Sequence, residues 1–221
     1  DYLPELSGAS ETENGKFYYF STKLTHEPWM TGNDFSISND RILKYPMDLF
    51  KKYNRSMNAL KHIYTDGAAL KLAGEWFSWM KENGVYDNTR IIIVSDHGRN
   101  VINPMFNEQQ ISGSDKKTTP AHWHNILLVK DFNSRGEMAI EQTFMTTCDI
   151  PYLALKDIID GMNPYTGNPV KIKKDKIPFT VMKTKFRMRE QGKHKFTFTE
   201  LFKVNDEDIF NLSNWEKIDN L

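Results

Sequence analysis

An aspartate and a histidine follow directly on a run of β-branched apolar residues. The run is Ile91–Val94, and after Ser95 the chain continues Asp96-His97-Gly98. Side chains along a strand alternate between its two faces, so adjacent side chains can share a ligand only beyond the strand's end. A carboxylate and an imidazole together suit a divalent ion such as zinc, manganese or magnesium. The pair therefore indicates half of a metal site, the alternative being a turn-capping aspartate beside a surface histidine.

Two further histidines precede the next apolar run. His122 and His124 flank Trp123, and positions two apart lie on one face if the chain is extended there. They are candidates for additional metal ligands, or else they form a polar lip on a loop. Lys117 lies in the long polar segment 99–121 that comes before them. Such lysines are usually solvated, but this one is also a candidate contact for a bound phosphate or sulfate.

Another candidate lies near the start of the chain. His26 belongs to the segment Thr25–Trp29, which follows the aromatic stretch Lys16–Ser21. A strand followed by a histidine loop could bring His26 to the same edge as the Asp-His pair, the alternative being a loop histidine beside a proline turn. His62 and Asp66 are one helical turn apart and can pair, which we interpret as a structural or supporting pair more readily than a catalytic one.

Composition limits the classes of protein that the chain can belong to. With 221 residues, 39% hydrophobic and 26% charged, it is long enough for one sizeable core. A formal net charge of +0 gives no basic excess, and we expect no nucleic-acid partner. The single cysteine, Cys148, cannot form a disulfide within the chain. No apolar run approaches the roughly 18 residues of a membrane-spanning helix, and the start on Asp1 instead of methionine predicts a fragment.

Hydrophobic periodicity predicts strands and helices in alternation. The predicted strands are Lys16–Ser21, Arg90–Ser95 and Asn125–Lys130, the predicted helices lie within Met47–Asn83 and Ile150–Ile159, and a last pair of strands covers Phe179–Met182 and Lys195–Thr199. Gly84 is the predicted C-cap of the first helix and Asp149 the predicted N-cap of the second. The first helix has one predicted apolar stripe, made of Leu60, Ile63, Leu70, Ala73, Phe77 and Met80. This order predicts an α/β fold with a largely parallel sheet and helices on both faces, plus a small antiparallel C-terminal unit. The corresponding domains are an α/β part over 1–170 and a small β-rich subdomain over 171–221.

Several segments occur in the order found in one known family. They are Thr25–Trp29 (Thr-His-x-Pro-aromatic), Tyr64–Leu70 (a Tyr-x-Asp helix), Ile91–Gly98 (a strand with Asp-His-Gly), Asn125–Val129, Asp149–Leu155 and Asp208–Leu212. With them the chain resembles the C-terminal half of the catalytic domain in the sulfatase-like branch of the alkaline phosphatase superfamily. That branch includes sulfatases, lipoteichoic acid synthases and phosphoethanolamine transferases. The resemblance covers most of residues 16–215.

The resemblance implies a function. It implies metal-dependent hydrolysis or transfer of a sulfate or phosphate ester, lipid- and glycan-linked esters included. Asp96 and His97 would then be ligands of a divalent ion, whether Zn, Mn, Mg or Ca. His26 and Lys117 would contact the anionic group of the substrate. His122 or His124 would take the place of the histidine that phosphoethanolamine transferases have in this loop.

The chain also departs from the family's pattern. The family's nucleophile and a further acidic metal ligand lie upstream of these motifs, and Cys148 lacks the Cys-x-Pro-x-Arg context of a sulfatase. We therefore expect the nucleophile in an upstream half of the same protein and this chain alone to be inactive. The alternative is a catalytically inactive sulfatase-like domain with a binding or structural role. By resemblance, the protein is extracytoplasmic and membrane-anchored through a segment outside this chain.

Overall fold

The computed structural model describes most of the chain. The described residues are 2–11, 15–37, 45–46, 48, 57–99, 110–114, 118–163, 165–172, 175–185 and 197–218, so Lys117 lies outside them. The chain divides into two compact units. The first contains Asp1–Arg90, Asn103–Asn107 and Lys130–Arg135; the second contains Ile91–Ile102, Glu108–Val129 and Gly136–Leu221.

The described residues form three α-helices and five strands. The helices are α1 (Leu3–Leu6), α2 (Met57–Glu82) and α3 (Ile150–Leu155), and the strands are β1 (Ile91–Val94), β2 (Leu127–Lys130), β3 (Phe179–Lys185), β4 (Thr197–Val204) and β5 (Trp215–Lys217). They make a two-stranded sheet, β1-β2, and a three-stranded sheet in the order β3-β4-β5. Both sheets are antiparallel.

The predicted largely parallel sheet with helices on both faces is therefore wrong. Within the described residues no large parallel sheet forms, and the backbone N–H of Ser95 donates to Ile126 O at 3.2 Å, as expected where β1 and β2 run in opposite directions. The predicted strand Lys16–Ser21 is not a strand in the structure. β1 is only partly buried. A short apolar run shows neither its neighbours nor their direction, because both depend on distant residues.

Helix α2 ends as the sequence predicts. Gly84 has a φ of +70°, which glycine adopts without the steric cost that other residues meet. Its N–H donates to Lys81 O at 3.1 Å, and the N–H of Val85 donates to Met80 O at 2.9 Å. These two bonds are the pattern of a Schellman motif, so Gly84 is confirmed as the residue that ends the helix.

The buried face of α2 differs from the predicted apolar stripe. Leu60 and Met80 are buried, but Ile63 and Leu70 of that stripe are exposed. A β-carbon at Gly67 would lie only 2.6 Å from Cε1 of Phe35, so the missing side chain is what admits the aromatic ring. An aromatic ring thus packs on the helix at a glycine in the first unit, and helical periodicity does not reveal such a contact.

A lysine and an arginine fix the chain after α2. The Lys130 ammonium donates to the carbonyl oxygens of Tyr86, Asp87 and Thr89, the latter two at 3.2 and 2.9 Å. Burial lowers the pKa of Lys130, although the negative charges of Asp87 and Asp131 act to raise it. The Arg90 guanidinium, almost fully buried, lies 2.8 Å from the Asp131 carboxylate. These contacts fix the backbone immediately before β1.

The second unit has its own hydrophobic core. It consists of Ile111, Phe202, Val204 and Trp215, with Trp123 packed against it. Phe202 and Val204 are two residues apart on β4, so they lie on one face of the strand. The registers place Val181 opposite Phe202 and Trp215 opposite Val204, which joins all three strands of this sheet to the core.

Asp149 has a different role from the predicted helix cap. It stands at the N-cap position of α3 but makes no side-chain capping bond to that helix. Its carboxylate instead accepts hydrogen bonds from the backbone N–H and hydroxyl of Thr146 at 2.7 and 3.2 Å. It also pairs with the Lys176 ammonium at 2.8 Å, both side chains being at most 9% exposed. Burial raises the pKa of Asp149, but Lys176 and Thr146 together lower it below its usual value.

Replacing Lys176 with methionine should destabilise the protein, because the buried Asp149 carboxylate loses its cation. We expect the free energy of unfolding at pH 7, measured by urea denaturation, to fall by about 3 kcal/mol. As a control, Glu216→Gln removes a partner of the exposed Lys203 pair and should cost less than about 1 kcal/mol.

The same pair gives a pH dependence. Because the native pKa of Asp149 is lowered, the unfolded state takes up the proton first as the pH falls. Stabilisation is complete above the unfolded pKa of about 3.9 and is lost as the pH falls through the lower native value. The difference between wild type and Lys176→Met should therefore narrow in acid. If Lys176→Met lowered the free energy of unfolding by the same amount at every pH, this role of the pair would be contradicted.

Candidate metal centre

The Asp-His pair at the end of β1 is exposed and has a defined geometry. The Nδ1 of His97 lies 2.7 Å from Gly98 O. A carbonyl oxygen only accepts, so Nδ1 carries the proton and the neutral imidazole has its lone pair on Nε2. That Nε2 lies 3.7 Å from Oδ2 of Asp96, and the side chains are 52% and 89% exposed. A carbonyl that fixes the histidine tautomer is the support that metal-binding imidazoles usually have.

The distance between these two atoms is compatible with one shared ion. Zinc binds a histidine nitrogen at about 2.0–2.1 Å and a carboxylate oxygen at about 2.0–2.2 Å, so two ligands of one ion are at most roughly 4.3 Å apart. The separation of 3.7 Å between His97 Nε2 and Asp96 Oδ2 lies within that limit. This distance is compatible with a shared ion, and the role of the two residues as metal ligands stays a prediction.

Gly98 brings this pair against the histidine turn at Pro120–Trp123. Its N–H donates to His122 O at 2.9 Å. A β-carbon at this position would lie 2.0 Å from Ala121 O and 2.4 Å from His124 O, where no side chain fits. Gly98 is therefore the point at which the two backbone segments touch.

The turn places His122 beside His97. Their ring centroids are 5.4 Å apart and the ring planes differ by 28°, a stacked arrangement. On its other side, His122 meets the Trp123 ring edge-on at 5.0 Å. Burial lowers the pKa of His122, and electrostatic interactions with His97, Lys183 and Arg99 lower it further. His122 is therefore neutral at pH 7, which is the protonation state a metal ligand needs.

The stack is not yet a complete site. Rings stacked in this way carry their nitrogen lone pairs in nearly parallel planes, so joint coordination of one ion by His97 and His122 needs one ring to rotate. In the part of the chain that the structure describes, no three His, Cys, Asp or Glu side chains form a group that could hold a metal ion. The carboxylate and imidazole groups are of the chemical type that binds a divalent ion, with two candidate ligands side by side and a third candidate, His122, adjacent to them.

His124 points elsewhere. Its ring meets the Phe210 ring at 5.1 Å between centroids. The two histidines were predicted to share a face if the chain is extended, but Pro120–Trp123 is a 3₁₀ helix, in which positions two apart diverge. Of the two additional candidates, the structure therefore brings only His122 to His97.

Two polar residues that the sequence analysis did not single out hold the site together. The Asn125 amide donates to Ser95 O at 2.9 Å and to Asp96 O at 3.0 Å. The Ser95 hydroxyl accepts from the backbone N–H of Ile126 at 3.0 Å. Asn125 is the first residue of the predicted strand Asn125–Lys130, and a polar residue at that end of an apolar run is the signal that could have drawn attention to it.

The remaining candidates lie in the first unit or outside the described residues. His26 is 65% exposed, and its Nδ1 lies 2.8 Å from Glu27 O. His62 and Asp66 do pair, with 2.7 Å between Nδ1 and Oδ2, and the Trp29 ring packs on the His62 ring at 5.4 Å. This supports the reading of that pair as structural. Lys117 lies outside the described residues.

Comparisons with known proteins add no family assignment. No protein-family model, no curated protein and no solved structure matches the chain. Among the helices that the structure describes, none combines the length and the apolar character needed to cross a membrane.

Replacing Gly98 with alanine should separate the two segments of the site, because the added β-carbon meets two backbone oxygens that cannot rotate away. We expect a loss of several kcal/mol in the free energy of unfolding, measured by chemical denaturation, or failure to fold. Gly74→Ala is the matched control, since no atom lies within 4 Å of its β-carbon; it should be neutral or stabilise α2 by up to about 1 kcal/mol. Equal behaviour of the two variants would show that the close contact does not exist.

Proposed function

We propose that the protein takes part in metal-dependent hydrolysis or transfer of a sulfate or phosphate ester. The observation that supports this most directly is the approach of Asp96 Oδ2 to His97 Nε2, 3.7 Å apart, with His122 stacked on His97. In this proposal Asp96 and His97 bind the ion and His122 is the additional ligand. The proposal rests on the donor set and on the resemblance of the ordered motifs.

The residues of the chain would contribute binding and orientation. When bound, a divalent ion polarises the ester oxygens and stabilises charge that builds on them. The Gly98 carbonyl holds the His97 proton on Nδ1 and leaves Nε2 available. Burial keeps His122 neutral, so it can bind a cation at neutral pH without first releasing a proton.

The resemblance supplies the rest of the proposed site. His26 and Lys117 are proposed contacts for the anionic group of the substrate, and no residue of this chain is proposed as the nucleophile, which is assigned to an upstream half of the protein. An extracytoplasmic, membrane-anchored setting is part of the same proposal. Lipid- and glycan-linked sulfate or phosphate esters are the substrate class that it names.

One observation favours a second candidate function. Since no group of three potential ligands is assembled among the described residues, the chain also fits an inactive sulfatase-like domain with a binding or structural role. The two functions differ in one measurable property, which is whether the Asp-His pair binds a divalent ion.

Metal binding is tested with Zn²⁺ and Mn²⁺ by isothermal titration calorimetry. We expect one ion per chain, loss of binding in His97→Ala, and a reduction of about 10- to 100-fold in His122→Ala. His62→Gln is the matched control, because His62 pairs with Asp66 in the first unit, and it should bind as the wild type does. Absence of binding at saturating metal would reject Asp96, His97 and His122 as a metal site of this chain and would favour the second function.

Catalysis is tested separately on the 221-residue chain. With an aryl phosphate or an aryl sulfate and added Zn²⁺ or Mn²⁺, we expect no turnover above the buffer rate, because none of its residues is proposed as nucleophile. The measurement is release of the phenolate by absorbance. Turnover that disappears in His97→Ala would show that the nucleophile is in this chain after all.

A further inference from the structure

We infer that Glu200, Lys183 and Thr118 form a positioning network for His122, so that the C-terminal sheet sets the geometry of the metal centre. The inference rests on the proposed function in one respect, namely that His122 is the additional ligand. It assigns a role to β3 and β4, which neither the motifs nor the resemblance connects with the site.

The network consists of one carboxylate, one ammonium group and one hydroxyl. The Lys183 ammonium donates to Thr118 Oγ1 at 2.8 Å and to Glu200 Oε2 at 3.3 Å. The Thr118 hydroxyl donates to the same Glu200 oxygen at 3.2 Å. Thr118 is fully buried and the Glu200 side chain is 2% exposed. Each pair of groups is bonded, so the three side chains hold one another in place.

A buried charge of this kind adds little to stability. Removing two charges from water costs several kcal/mol, and apolar residues of similar volume often serve stability as well or better. What a hydrogen-bonded charge does provide is a fixed position, since its partners must remain within bonding distance. The network therefore fits a positional role for Thr118 better than a purely stabilising one.

A buried segment with backbone hydrogen bonds connects Thr118 to His122. The next residue, Thr119, is also buried, and its carbonyl accepts from the His122 N–H at 3.1 Å. Pro120 is buried as well and opens the 3₁₀ helix. On the other side, the Thr118 carbonyl accepts from the Ile111 N–H at 3.0 Å. With both ends of this segment held, a shift of Thr118 displaces the turn that carries His122.

The same strand holds the turn at a second point. Phe202 and Trp215 pack on the Trp123 ring at centroid distances of 5.9 and 5.3 Å. Glu200 and Phe202 are two residues apart on β4 and share a face. One face of β4 thus contacts the turn on each side of His122, through Thr118 before it and through Trp123 after it.

The test compares three variants and two controls. Glu200→Gln keeps the shape and removes the charge, and Thr118→Val keeps the shape and removes the hydroxyl. Thr118→Ser restores the hydroxyl. Glu216→Gln is the control on the neighbouring strand, where the pair with Lys203 is exposed, and His62→Gln controls for histidine content.

Two readouts separate this inference from the proposed function. The first is the contact between the His97 and His122 rings, observed by NMR as nuclear Overhauser effects in the metal-free protein. The second is Zn²⁺ affinity by calorimetry. We expect Glu200→Gln and Thr118→Val to lose the ring contact and to bind Zn²⁺ about tenfold more weakly, while Thr118→Ser and both controls keep wild-type values.

The outcomes are distinct. If wild type binds no Zn²⁺ but the ring contact is lost only in Glu200→Gln and Thr118→Val, the proposed function fails and the positioning role stands. If Glu200→Gln does not fold, Thr118→Val decides, with near-ultraviolet circular dichroism confirming that the aromatic side chains keep their native environment. An unchanged ring contact in a folded Thr118→Val variant would overturn the inference.

Discussion

The close approach of Gly98 to the histidine turn is the contact on which the site depends. Here two backbone segments meet with no room for a side chain, since a β-carbon would lie 2.0 Å from Ala121 O. The hydrogen bond from Gly98 N–H to His122 O and the Asn125 amide bonds secure the same junction. The junction therefore sets the backbone of Asp96 and His97 next to that of His122, and the network of Glu200, Lys183 and Thr118 holds the segment that leads into the turn.

The sequence predicted the parts of this arrangement that are local. The end of α2 at Gly84 and the Asp-His pair beyond β1 depend on neighbouring residues, and both were found. The sheet was predicted wrongly, because strand direction and the number of neighbours depend on residues far away in the chain. His122 and His124 could not be separated without knowing that Pro120–Trp123 is a 3₁₀ helix. The pairing of Thr118 with Glu200 joins residues 82 positions apart, and patterns of residue spacing do not predict contacts between positions so distant in the chain.

The charges at the site divide between exposed and buried groups. Asp96 is 89% exposed and is hydrated by solvent, so its charge costs little free energy. His122 is partly buried and neutral, and its burial adds no charge to the interior. The buried ions of the second unit, Asp149 with Lys176 and Glu200 with Lys183, are paired instead. In the described part of the second unit, the buried carboxylates of Asp149 and Glu200 each have a lysine partner.

Because side chains alternate between the two faces of β4, the second unit is sensitive to the length of this strand. Glu200, Phe202 and Val204 lie on the buried face, and the irregularity in the β3-β4 register falls between Lys183 and Thr184. Since the side-chain period of a strand is two, insertion or deletion of a single residue between Glu200 and Val204 would turn part of this face to solvent. We expect the strand to accept many substitutions at its exposed positions but no change in length, in contrast to surface loops, where insertions are commonly tolerated.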